Sequence, residues 1–191
     1  MNVIATDPSD LSPVTMLEVN QHLHRGDEVD ESISAKILAA TRSIELTVGP
    51  IMDSSWRATF DRVPKHHYIY LPAWLVTEIS AVVAIDGDGV ETPLAAVTDY
   101  VAELGHRPGR IRLVNPVSGG LRVDFSAGWE SPAAVPAELK HAVLLEIGHM
   151  DAHREAVIQA RPGQAFQELP RAIQHLTAVY AAAMSLAWGQ A

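Results

Sequence analysis

VPAELKHAVLLEIGHMDAHREAV, residues 135–157, is the stretch on which the fold turns. Leu139, Val143, Ile147, Met150 and Val157 recur at helical spacing and make one apolar stripe. Pro136 suits the first helical turn, where its missing N–H costs nothing. The pattern predicts a helix over 136–160, stopped by Arg161-Pro162-Gly163. The same stretch carries His141, His149 and His153. His149 and His153 stand four apart on one face, a spacing at which two imidazoles can share a zinc ion. A zinc-peptidase helix also needs a glutamate directly after its first histidine, and here that residue is Met150. Glu146 lies one turn before His149 and could serve as a ligand, but no distant third ligand is indicated. A polar flank or a subunit contact is therefore the preferred reading of these histidines. A metal-dependent enzyme centred on His149, His153 and Glu146 is the alternative.

Outward from that helix, the C-terminal side reads as a second one. It begins near Pro170 and carries Leu169, Ile173, Leu176, Tyr180 and Met184 on one face. After Arg171 the remaining twenty residues contain no Lys, Arg, Asp or Glu. Leu176–Trp188, LTAVYAAAMSLAW, is a mostly apolar run of thirteen. A bilayer span takes about 20 residues, so no membrane crossing is expected. The run is either a core helix of its own domain or a helix docked on another chain. Tyr180, Met184 and Trp188 are residue types enriched at interface centres, and the alanines between them allow close helix approach.

On the N-terminal side, Trp56 to Phe125 changes to a period of two. Trp56–Phe60, His67–Leu71, Ile79–Ile85, Arg110–Val114 and Leu121–Phe125 alternate or are β-branched. Asp86-Gly87-Asp88-Gly89, Arg107-Pro108-Gly109 and Ser118-Gly119-Gly120 separate them as turns. The acidic turn resembles the start of a calcium loop, but the later acidic positions do not fit, so a hairpin turn is preferred. A small antiparallel β-module is expected over 55–128.

Before it, two more helices are expected. Thr15-Met16-Leu17-Glu18 reads as a capping box that opens a helix over 15–25, ended by Gly26. Asp27, Glu28, Asp30 and Glu31 favour the start of a helix over 28–48, broken by Gly49-Pro50. Residues 1–12 are expected to be a flexible segment. They show no basic and apolar signal-peptide pattern. The fold class is α+β: a four-helix framework, two N-terminal and two C-terminal, with an inserted antiparallel β-module.

Composition narrows the function. The 191 residues are 48% hydrophobic and 19% charged, ordinary for a folded domain, and contain no cysteine for disulfides or thiolate sites. A net charge of −9 is unsuited to reading DNA, which needs a basic surface to displace counterions. There is no G-x-S-x-G elbow, P-loop or cysteine nucleophile. No cofactor is expected, and the chain is not expected to be an enzyme.

SPVTMLEVNQHLH, DEVDESISAKILAATRSIE, YIYLPAWLVTEISAVVAIDGDG, Asp99-Tyr100, FSAGW, VPAELKHAVLLEIGHMDAHREAV and LPRAIQHL follow one another along the chain. Together they resemble the head–tail connector, or adaptor, proteins of long-tailed double-stranded DNA phages and related phage-like particles, the gene transfer agents. The resemblance spans roughly residues 13 to 180. It implies a connector domain over 13–170 and a C-terminal apolar helix over 171–191. It implies a structural virion protein, assembled in the bacterial cytoplasm, that forms a ring of about twelve copies at the head–tail junction. One face of the ring would meet the portal protein and the other a stopper, head-completion or tail protein. DNA would pass through the middle without sequence-specific binding, during packaging and ejection. On this reading Ile173, Leu176, Tyr180, Met184, Leu186 and Trp188 are the candidate portal anchor. Asp86, Asp88, Arg107, Arg110, His149, His153 and Arg154 are candidate contacts with neighbouring subunits or the next ring. A soluble monomeric interaction module is the remaining alternative; its last helix would fold back on the first three.

Overall fold

A computed structural model of the chain describes residues 1–26, 31–63, 67–152 and 171–189. The capping box forms as the sequence predicts. The Thr15 hydroxyl accepts from the Glu18 N–H at 3.2 Å, and the Thr15 N–H donates to the Glu18 carboxylate at 2.7 Å. Two of the orphan donors at the start of helix α1 (Met16–His22) are thereby satisfied. Helix α2 (Glu31–Val48) ends at Gly49, whose φ of +82° only glycine takes without strain. Helices α3 (Ala137–Ala152) and α4 (Arg171–Trp188) complete the bundle. Val19, Ile33, Ile44, Leu139, Val143, Ile147 and Ile173 fill its core.

The first residues are not a flexible segment. Asn2–Asp7 form strand β1, paired antiparallel with β2 (Ser54–Phe60) in a register that sets Val3 opposite Ala58. The β-module is therefore not purely an insert, because its edge strand precedes both N-terminal helices. The other strands are β3 (Tyr68–Tyr70), β4 (Val76–Ile85), β5 (Glu91–Pro93), β6 (Tyr100–Glu103), β7 (Arg110–Leu113) and β8 (Gly120–Ala127). They make two antiparallel sheets, β1-β2-β8-β4-β5 and β3-β7-β6. Strand β8 shows why: Leu121, Val123, Phe125 and Ala127 point inward and are buried, while Arg122 and Asp124 alternate on the other face. With Phe60, Ile69, Leu71 and Ile111 they form a second core.

A short seam joins the two cores. Trp129 donates its N–H to Ile51 at 2.8 Å and accepts from the Asp53 N–H at 2.9 Å. Gly128, at φ +114°, lies so close to Met52 that a Cβ would collide with that residue's backbone. Among the described residues no helix is long and apolar enough to cross a membrane.

Candidate interaction surfaces

The C-terminal helix is divided between two roles. Ile173 is 2% exposed in the helical core, and Leu176 and Tyr180 pack against that same core. The Tyr180 ring meets Trp74 edge-on at 5.4 Å and Trp129 at 6.2 Å, which ties α4 to the strands and the seam. Burial pushes the Tyr180 phenol above its ordinary pKa. The Met184 sulfur sits beside Gly49 at the end of α2. Ile173, Leu176, Tyr180 and Met184 thus take part in this chain's own packing, Ile173 fully and the other three half-buried. Thr177 and Ala187 are buried with them, the Thr177 hydroxyl donating to the Ile173 carbonyl at 2.8 Å. Of the six candidate anchors only Leu186 and Trp188, the latter 49% exposed, stand at the surface.

The loop candidates sort the same way. The Asp86 carboxylate accepts from the Asp88 and Val90 N–H groups, both at 2.9 Å, so it shapes the hairpin turn. Asp88 stands exposed beside it. Arg107 donates to the Leu104 and His106 carbonyls and closes its own loop. Arg110 is held more firmly: its Nε donates to Glu103 at 2.6 Å, and its guanidinium lies 4.6 Å above the Tyr68 ring. Arg112 and His106 also face Glu103, at 3.4 and 3.5 Å. The hydrogen bond from Arg110 holds the Glu103 carboxyl below its ordinary range against the opposing effect of burial, helped by the Arg110 charge and, less, by Arg112 and His106. Arg110 is a joint between β6 and β7, and its charge is already answered within the chain.

On α3, His149 is half-buried, and His153 and Arg154 lie outside the described residues. Glu146 is buried, with one oxygen accepting from the Ser43 hydroxyl at 3.2 Å and the other without a partner among the described residues. Among those residues no three His, Asp or Glu side chains converge as a metal would require. The α3 side chain that does gather charge is Asp151, which periodicity alone does not distinguish. It accepts from Arg25 at 2.8 and 2.9 Å and from Lys36 at 2.6 Å, clamping the α1–α2 connection and α2 onto α3. His22 on α1 meets His141 edge-on at 6.3 Å. Burial first, then the neighbouring His141 and His24 charges, lower its pKa below the ordinary histidine value.

No family model matches the chain, and no curated protein matches its sequence. Solved structures do. A chain of the neck of an empty gene transfer agent particle, determined with C6 symmetry, is 23% identical with a TM-score of 0.68, over 94% of this chain and 95% of that one. A chain in the virion of a native gene transfer agent particle is 22% identical with a TM-score of 0.70 and the same coverage. A chain of the native neck determined with C12 symmetry is 22% identical with a TM-score of 0.67, over 94% of each chain. The expected α+β fold is thus shared nearly end to end with chains of gene transfer agent particles.

Proposed function

We propose that this chain is a structural neck protein, an adaptor whose copies form a ring between the portal and the stopper or tail of a phage-like particle. The observation that carries the reading is the shared fold over 94% of the chain with proteins from gene transfer agent necks. Neighbours in necks determined with C6 and C12 symmetry support a cyclic homo-oligomer as the working form. The chemistry agrees. Two of the loop candidates are occupied in packing, Arg110 with Glu103 and two tyrosines and Asp86 with its turn, and so is Asp151 with Arg25 and Lys36.

Charge supports a conduit. At −9 per copy the protein repels the phosphate backbone, so DNA can run past it without condensing onto the wall. A basic lining would instead bind DNA by counterion release and slow each step of its passage.

The portal contact is assigned to the exposed end of α4, Leu186 and Trp188, an apolar pair on an uncharged helix end. Deleting residues 176–191 is a poor test, since Tyr180 and Ala187 belong to the fold. The better variant is Leu186→Ser with Trp188→Ala. It should melt close to the parent while losing co-sedimentation with the portal ring of the same genome. A variant that folds and still co-sediments at parent affinity would remove α4 from the portal contact.

A further inference from the structure

A closed ring of identical chains needs two different patches on each copy, one fitting the other, because neighbours meet head to tail. The five-stranded sheet supplies two flanks for this, with β1 at one edge and β5 at the other. Four strand spacings, about 19 Å, separate these edges.

Beside β5 the chain displays two aliphatic side chains. Val90 immediately precedes the strand, and Val97, 82% exposed, lies in the loop that follows it. Val97 holds a φ of +72°, a region that a β-branched side chain strongly disfavours. The conformation is fixed from both sides: the Val97 N–H donates to the Tyr100 carbonyl at 2.7 Å, and the Asp99 carboxylate accepts from the Ala95 N–H at 2.8 Å. A rigid loop thus presents an apolar knob to solvent, where burial of the same side chain would be favourable.

The opposite flank carries a hollow. The chain leaving β1, the outer face of α2 and the approach to β2 enclose a cavity of about 360 Å³. Its lining is mixed: Leu11, Val14, Ile37, Leu38 and Met52 form an apolar part, with Leu38 62% exposed at the mouth, beside serines, Thr41 and the exposed Asp10. Its one buried charge, Glu45, has both oxygens occupied by Ile51 N–H and Arg42. The cavity therefore offers no unanswered buried acceptor that would call for a polar small ligand, and its chemistry suits an aliphatic guest. Arg42 reaches Glu45 through Nη1 alone, which leaves its other guanidinium N–H groups at the rim. Across the chain, the exposed Asp88 beside Val90 has no partner among the described residues. The aliphatic knob suits the apolar part of the hollow, and Asp88 suits Arg42 at its rim.

We propose that neighbouring copies in the ring are joined by this pair of flanks: Val90 and Val97 of one copy seat in the Leu11–Leu38 hollow of a second copy, and Asp88 faces Arg42. The inference rests on the ring reading above and adds to it the surface by which the ring closes.

Cysteine pairing tests it cleanly, because the parent chain has no cysteine. Full-length protein carrying both Leu38→Cys and Val97→Cys is assembled on the portal ring, imaged, oxidised and run without reductant. The expected result is a ladder of covalent multimers rising from dimer, with neither single variant giving more than monomer. Rings that form without a ladder would overturn this interface and leave the ring reading standing. A disulfide closed within one monomer, or a dimer from Val97→Cys alone, would also overturn it. Absence of any ring from the parent protein would sink both. As a second measurement, Val97→Asp should melt like the parent and lower ring occupancy on the portal at least tenfold.

Discussion

Tyr180→Ala separates a helix that belongs to its own chain from one that waits for a partner. The phenol ring is half-buried against the helical core and stands edge-on to two tryptophans, Trp74 at 5.4 Å and Trp129 at 6.2 Å. Truncating a fully buried large aromatic to alanine costs about 3–5 kcal/mol, so a half-buried one should cost about 2–3. The two edge-to-face contacts, each about 0.5–1.5 kcal/mol, supply much of that figure. For a chain of this size each kcal/mol moves the melting temperature by about 2–4 °C, giving an expected drop of about 4–12 °C. Thermal unfolding followed by circular dichroism reads it directly. Tyr180→Phe is the control: the hydroxyl has no hydrogen-bond partner among the described residues, so its removal should change stability by less than about 0.5 kcal/mol. A Tyr180→Ala protein that melts within about 1 °C of the parent yet fails to bind the portal would refute the reasoning. It would mean that the ring is an anchor held ready for another protein.

Three further outcomes follow from the same packing. Asp151→Asn should destabilise by about 1–3 kcal/mol, because it removes the charge that Arg25 and Lys36 share, and chemical denaturation should show it as a lower midpoint at unchanged slope. Gly49→Ala should cost about 2 kcal/mol or more, since its φ of +82° disfavours any side chain and the new Cβ would lie 2.8 Å from the Pro72 carbonyl oxygen. His22 makes stability depend on pH. Its folded pKa lies below the unfolded value of 6.5, so the folded state binds fewer protons, and its contribution is present above pH 6.5 and lost as pH falls through the lower folded value. Melting temperatures taken down that range should fall more steeply for the parent than for His22→Gln, and parallel curves would remove His22 from the effect.

Local signals in the sequence carried the local structure. The Thr15–Glu18 box sits where it is read, and the alternation from Leu121 to Phe125 marks β8 as the centre of a sheet. What escaped is non-local. Asn2–Asp7 holds β-branched Val3, Ile4 and Thr6 but lacks apolar–polar alternation, and its partner Ala58 lies more than fifty residues away, so pairing across the chain is what reveals β1. Strands β5 and β6 are three and four residues long, too short for a period to show, and each is the outer strand of its sheet. The candidate surface fared likewise. Helical spacing grouped Ile173, Tyr180 and Met184 with Leu186 and Trp188, but spacing cannot say whether an apolar face meets its own core. Here Trp74 and Trp129, distant in sequence, take Tyr180 inward and leave the helix end outside. Arg110 looked like a surface cation because its partners Glu103 and Tyr68 are contributed by β6 and by β3, the strands flanking β7.

The central claim is that copies of this chain build one annular layer on a portal. The direct measurement is the mass of the portal ring before and after saturation with purified protein, with negative-stain images of the same sample. The account predicts a single added layer with cyclic symmetry. Its mass gain should be about 250 kDa if twelve copies of 20.7 kDa bind, the number suggested by the C12 neck. A portal that gains no mass while the protein stays a folded monomer would contradict the account.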